Sequence, residues 1–205
     1  MHCFRSGWLE QALRGCLVCC FCVCATLAQA QTGTEISRLN VERADDALWL
    51  SAQINFEIPP AVEDALVKGI PMYFVTEADI LRERWYWYDK RVTGVERHIR
   101  VAYQPLTRKW RLNMNTGPSS AASQGLSLNQ SYDSLAQALA TVKRVSRWKI
   151  AEAGDIDPAI NYRLDFRFKL DLSQLPRPFQ IGALGQSDWD ISALSSAPLA
   201  FDAAK

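Results

Sequence analysis

Beyond Cys24 the chain contains no cysteine: all six, Cys3, Cys16, Cys19, Cys20, Cys22 and Cys24, lie within its first 24 residues. Disulfides and thiol catalysis are thereby excluded from everything that follows. Histidine is nearly as scarce, with only His2 and His98. A zinc site on His98 would need carboxylates for its other ligands, and a serine–histidine–acid triad would need His98 as its base. His98 falls on the strand parity opposite Ile99 and Val101, which reads as a solvent-facing position. The chain has no G-x-S-x-G elbow, no P-loop and no G-x-G-x-x-G turn. We therefore expect no catalytic residue, no metal and no cofactor. Excess charge is also missing, with 23 basic residues against 22 acidic. That balance argues against nucleic-acid binding, which draws most of its affinity from phosphate neutralisation by a basic surface. After the N-terminal segment no apolar run approaches the ~20 residues that span a bilayer, so no transmembrane span is expected there.

What is present begins with a leader. Arg5 and Arg14 outweigh Glu10 in the first 15 residues, and an apolar stretch runs from Cys16 to about Leu27. It ends in Ala28-Gln29-Ala30, the small-x-small pattern of a signal-peptidase site, so cleavage is expected before Gln31. Residues 1–30 then form a cleavable signal peptide, and residues 31–205 a single exported, periplasmic domain. An uncleaved anchor is the alternative, but about a dozen apolar residues is short for one. A lipoprotein is a second, although neither Cys22 nor Cys24 follows the Leu-small-small run that lipidation needs. Without disulfides, the domain must be held by burial. Six tryptophans and six tyrosines after residue 30 fit that need.

Period-two alternation is the clearest structural signal. Leu48, Leu50, Ala52, Ile54, Phe56 and Ile58 are apolar at every second position, as are Tyr162, Leu164, Phe166, Phe168, Leu170 and Leu172. Such strands have one dry and one wet face, which indicates antiparallel rather than buried parallel sheet. Further strands are expected at 36–43, 72–81, 95–103 (where Arg97 interrupts the apolar face) and 109–115. Arg84 to Lys90 reads as a continuation of the third strand past a bend or bulge. Pro59-Pro60 opens a short helix closed by Gly69 and stopped by Pro71. A longer helix is expected from near Ser131 to near Gly154, with Leu135, Leu139, Val142, Val145 and Trp148 on one stripe. Residues 116–130, rich in serine and glycine, read as a flexible polar loop; the last 25 residues carry few signals, and their end is expected to be loosely held. The fold class is mainly β (α+β): a single antiparallel sandwich or half-open barrel with one long and one short helix.

Two clusters are candidate sites. Glu77 and Asp79 share a strand face near Glu83 and Asp89, and a carboxyl pair at a set separation is the machinery of glycoside hydrolysis; the plainer reading is a charged wet face. Denser is Arg84-Trp85-Tyr86-Trp87-Tyr88-Asp89, with Arg91 beyond it. If extended, it places Trp85, Trp87 and Asp89 on one face and Arg84, Tyr86 and Tyr88 on the other. That is either an aromatic cross-strand ladder or a recognition surface, since aromatics with arginine are the usual interface hot spots. Leu175-Pro176-Arg177-Pro178-Phe179 reads as a rigid strand exit rather than a polyproline ligand.

In order and spacing these motifs are familiar. Ala65-Leu66, Gly69-Ile70-Pro71, Trp85-Tyr86-Trp87, Tyr103, Pro105-Leu106-Thr107, Trp110-Arg111, Leu170-Asp171, Leu175-Pro176, Pro178 and Trp189 resemble an uncharacterised family of exported bacterial proteins. It is a domain-of-unknown-function family whose members are often labelled proline-rich signal peptide proteins. The resemblance spans roughly residues 33 to 195. It implies export and a single domain, supplies no catalytic residues, and suggests envelope signalling by association with membrane sensor kinases. The expected function is that of a periplasmic, non-enzymatic binding or accessory protein, with an envelope protein or small ligand as partner. The alternatives are a carrier of a lipophilic ligand and a carboxylate-based cell-wall hydrolase.

Overall fold

Alternation becomes strand wherever a neighbour is available to pair with it. A computed structural model describes residues 33–86, 88–118, 126–183 and 189–199. Nine strands build two antiparallel sheets among them. The smaller has the order β1 (Glu35–Ala44), β2 (Ala47–Asn55), β7 (Arg144–Glu152). The larger has the order β6 (Leu126–Tyr132), β5 (Lys109–Pro118), β4 (Lys90–Gln104), β3 (Met72–Arg82), β8 (Tyr162–Leu170), β9 (Ser192–Leu199). Edge strand β1 lies over β9 and edge strand β7 lies over β4. The small sheet thus roofs only β9 to β4. Helix α2 (Leu135–Lys143) packs on β5 and β6 and completes the second layer. The result is a sandwich-like α+β fold without a closed barrel.

Between the layers the apolar parities meet. Leu48, Leu50 and Ile54 from β2 face Phe74 and Ile80 from β3 and Leu164, Phe166 and Phe168 from β8, all essentially free of water. Phe56, Phe74 and Phe168 form an aromatic cluster with centroids 5.2 to 5.8 Å apart. Helix α1 (Pro60–Val67) has proline in its first turn and is stopped by Gly69 at φ 86°. Gly69 N–H and Ile70 N–H donate to the carbonyls of Leu66 and Ala65, the pairing that the left-handed glycine permits.

The β1–β2 turn is strained. Pairing runs to Ala44 opposite Ala47, so Asp45 and Asp46 alone reverse the chain, at φ 52° and 57°. That is the mirror-type turn that matches strand twist, and it favours glycine at its second position. Asp46→Gly is expected to stabilise the protein by about 1 kcal/mol, raising the melting temperature by about 2–4 °C. Calorimetry checks it.

Three expectations need correction. The long helix is little more than a third of its expected length: α2 ends at Lys143, and residues 144–152 form β7. Val142, Val145 and Trp148 have helical spacing only because β7 carries a bulge. Leu50 pairs with Trp148 and Ala52 with Val145, so Ser146 and Arg147 both oppose Ser51, with Arg147 at φ 42°. The 116–130 stretch is not all loop. β5 reaches Pro118 and β6 begins at Leu126, polar in composition because it is an edge strand with one open face. Nearer the C-terminus stand α3 (Arg177–Ala183) and β9, which pairs along β8; the end of the chain, expected to be loosely held, lies outside the described residues. Arg84 to Lys90 does not continue β3. The ladders of β3 end at Arg82, opposite Tyr162 and Lys90, so 83–89 forms a hairpin loop.

Candidate functional site

Rich in strand-favouring aromatics, the run after Arg82 joins neither neighbouring ladder. Neither β4 nor β8 extends past Arg82 to receive it, and aromatic residues on both faces would need a layer on each side. The loop therefore carries its rings beyond the end of the large sheet. Trp85 is 93 % exposed, Tyr88 89 % and Tyr86 67 %. An aromatic ladder over a second layer is thus ruled out for these three. Trp85 and Tyr86 pack edge to face at 4.8 Å. With Arg82, Glu83 and Arg84 they line an open recess of about 390 Å³. Trp87 lies outside the described residues, as do Ala28, Ala30 and Gln31 of the expected cleavage site.

The foot of the loop is held by hydrogen bonds and ion pairs. Glu83 N–H donates to Asn161 O at 3.3 Å, and Arg84 N–H to Asp89 Oδ1 at 3.4 Å. Arg163 bridges Asp89 at 2.9 Å and Asp165 at 3.0 Å. Arg91 reaches Asp79 at 2.6 Å by crossing over Gly94, where a Cβ would meet the guanidinium at 2.0 Å. Of the seven candidate residues, Asp89 and Arg91 are anchors, whereas Arg84, Trp85, Tyr86 and Tyr88 form the accessible surface.

Glu77 and Asp79 lie on the outer face of the large sheet, next to the anchors. Glu77 pairs with Arg167 and Lys169, each at 2.7 Å. Burial pushes its carboxyl up, but Lys169 and Arg167 together outweigh that and hold it below the usual glutamate value. Asp79 goes the other way: burial raises it against the pull of Arg91, and Glu77 adds to the rise. Both acids are thus paired with basic side chains on the outer face of the sheet. A depressed native pKa means that Glu77 adds stability above its unfolded value and that this is lost as pH falls through the folded one. Glu77→Gln is expected to cost about 1 kcal/mol at neutral pH, with the difference from wild type vanishing in acid. Urea titrations at pH 7 and at successively lower pH measure it. His98 sits on the same outer face, its Nε2 3.2 Å from Glu96 Oε2.

In the sequence Arg97 is marked only by its interruption of an apolar parity. It opposes Thr76 in the β3–β4 register, points between the layers, and lies over the Trp148 ring at 4.7 Å.

No curated protein and no solved structure matches the chain. A family model matches residues 31–196, which include the whole sandwich except the last strand's end. The chain belongs to the family defined by the domain of unknown function DUF4390.

Proposed function

We propose that this is an exported, non-enzymatic accessory protein of the bacterial envelope that binds a partner protein through the 83–89 hairpin loop. The observation that carries this reading is the exposure of Trp85, Tyr86 and Tyr88 on a loop whose foot is held by ion pairs. Leaving three large rings in water is unfavourable for a lone domain, and aromatics beside arginine are the residues that dominate protein interfaces. A pre-organised foot lowers the ordering cost on binding. The leader segment, with Ala28-Gln29-Ala30 at its end, supports export to the periplasm. The two alternatives find less support. The Phe56–Phe74–Phe168 cluster occupies the interior that a lipophilic ligand would need, and the acid pair Glu77 and Asp79 is engaged by basic residues.

A photo-crosslinking amino acid at position 88, used in the producing cell, tests the proposal. The expected result is one discrete protein adduct, absent when the probe is placed at Glu42 on the far edge of the small sheet. Adducts to lipid alone, or no adduct at position 88, would overturn it.

A further inference from the structure

A second site is written into the interior rim, independent of the loop. Across the large sheet, Phe168, Thr76, Arg97 and Thr116 stand in register on the core-facing side. Thr76 is 0 % exposed and its hydroxyl has no partner. Trp148, 3 % exposed on the opposing sheet, leaves its indole N–H unpaired, and Arg97 Nε–H is buried and unpaired as well. Among the described residues no carboxylate pairs with Arg97, whose one defined contact is the indole face. Burial lowers its guanidinium to about 10, so it stays charged at neutral pH.

Two buried N–H donors and a hydroxyl that can also donate therefore gather where β7 crosses β4, each without a partner. Buried polar groups are ordinarily satisfied, and a guanidinium and an indole N–H beside a hydroxyl free to donate are complementary to an acceptor-only group. The place is also a boundary. The small sheet ends at β7, and α2 covers the Trp110 and Leu112 end of the remaining strands. The other end is a shelf of half-buried Val95, Met114 and Thr116, with Leu128 48 % exposed. All four lie on the same sheet face as Arg97. An unpaired cation at the inner end of an apolar shelf has the complement of an amphipathic anion.

We propose that Arg97, Thr76 and Trp148 form a binding site for the carboxylate of an aliphatic acid whose tail lies on Val95, Met114 and Leu128. A planar guanidinium accepts a carboxylate in two parallel hydrogen bonds, and a dry setting strengthens them. Decanoate is the probe, with decanol as the uncharged tail and acetate as the tailless charge, titrated by calorimetry into the protein as purified from the producing cell. Decanoate is expected to bind one per chain, at least 10-fold more tightly than either control. Arg97→Met keeps the stem over Trp148 and is expected to lose at least 10-fold in decanoate affinity. Thr76→Val replaces an unpaired hydroxyl by a methyl group of like shape. It is expected to weaken decanoate several-fold while leaving the melting temperature unchanged or higher. Acetate or decanol binding as tightly as decanoate, unaltered affinity in both variants, or no decanoate binding by the wild type would each overturn the site.

Discussion

Phe168→Ala is expected to destabilise this protein by about 3–5 kcal/mol, the range for truncating a fully buried ring. Phe168 is inaccessible to solvent and stacks on Phe74 at 5.8 Å with an interplanar angle of 6°, and Phe56 from the opposite layer closes the triangle at 5.2 Å. The cavity left by removal would lie between two hydrogen-bonded sheets that cannot collapse onto it, because Thr76, opposite Phe168, is held in ladders on both sides. With no cysteine beyond Cys24, no disulfide in residues 33–205 can limit the unfolded chain and offset the loss. Total stability for domains of this size is about 5–15 kcal/mol, so the variant should unfold at a much lower urea midpoint with an unchanged slope. A loss under about 1 kcal/mol would mean that the aromatic cluster does not hold the layers together.

The second large effect is on binding, and it should leave stability alone. Trp85→Ala combined with Tyr88→Ala removes two rings that lie outside the core, being 93 % and 89 % exposed. Surface substitutions of this kind change stability by no more than about 0.5 kcal/mol. If the two rings are interface hot spots, each contributes about 2 kcal/mol or more, and the double variant should bind the partner captured at position 88 at least 100-fold more weakly. Asp89→Ala is the contrasting change. It cuts the tie to Arg163 at the foot of the loop, so it should weaken binding less, by loosening a loop whose rings are still present.

Much of this architecture can be read from residue order, and the failures have identifiable causes. Strands β2 and β8 follow from strict alternation, and α1 from proline at its start and glycine at its end, because local chemistry and burial agree there. Strand β7 is hidden because its bulge at Ser146-Arg147 gives Val145 and Trp148 a three-residue spacing, which period alone cannot tell from a helix. Strand β6 is hidden by its composition: as the outermost strand it buries little, so Ser127, Asn129 and Gln130 carry no strand signal. The aromatic loop stands out as a cluster, but its composition points to the wrong backbone. Propensity favours a strand at Trp85 to Tyr88, yet a strand needs a neighbour, and whether β4 and β8 reach that far is a matter of register that no local pattern encodes. The same limit applies to Arg97. Its parity marks it as facing the core, but only the crossing of β7 over β4 brings Trp148 to it.

The 83–89 loop is the proposed recognition surface, carried by a fold whose core lies elsewhere. The most direct measurement is the dissociation constant of the crosslinked partner for the wild type and for Trp85→Ala/Tyr88→Ala, taken together with the two melting temperatures. A loss of at least 100-fold in affinity with melting temperatures within about 2 °C is the predicted result. Equal affinities with equal melting temperatures would contradict it.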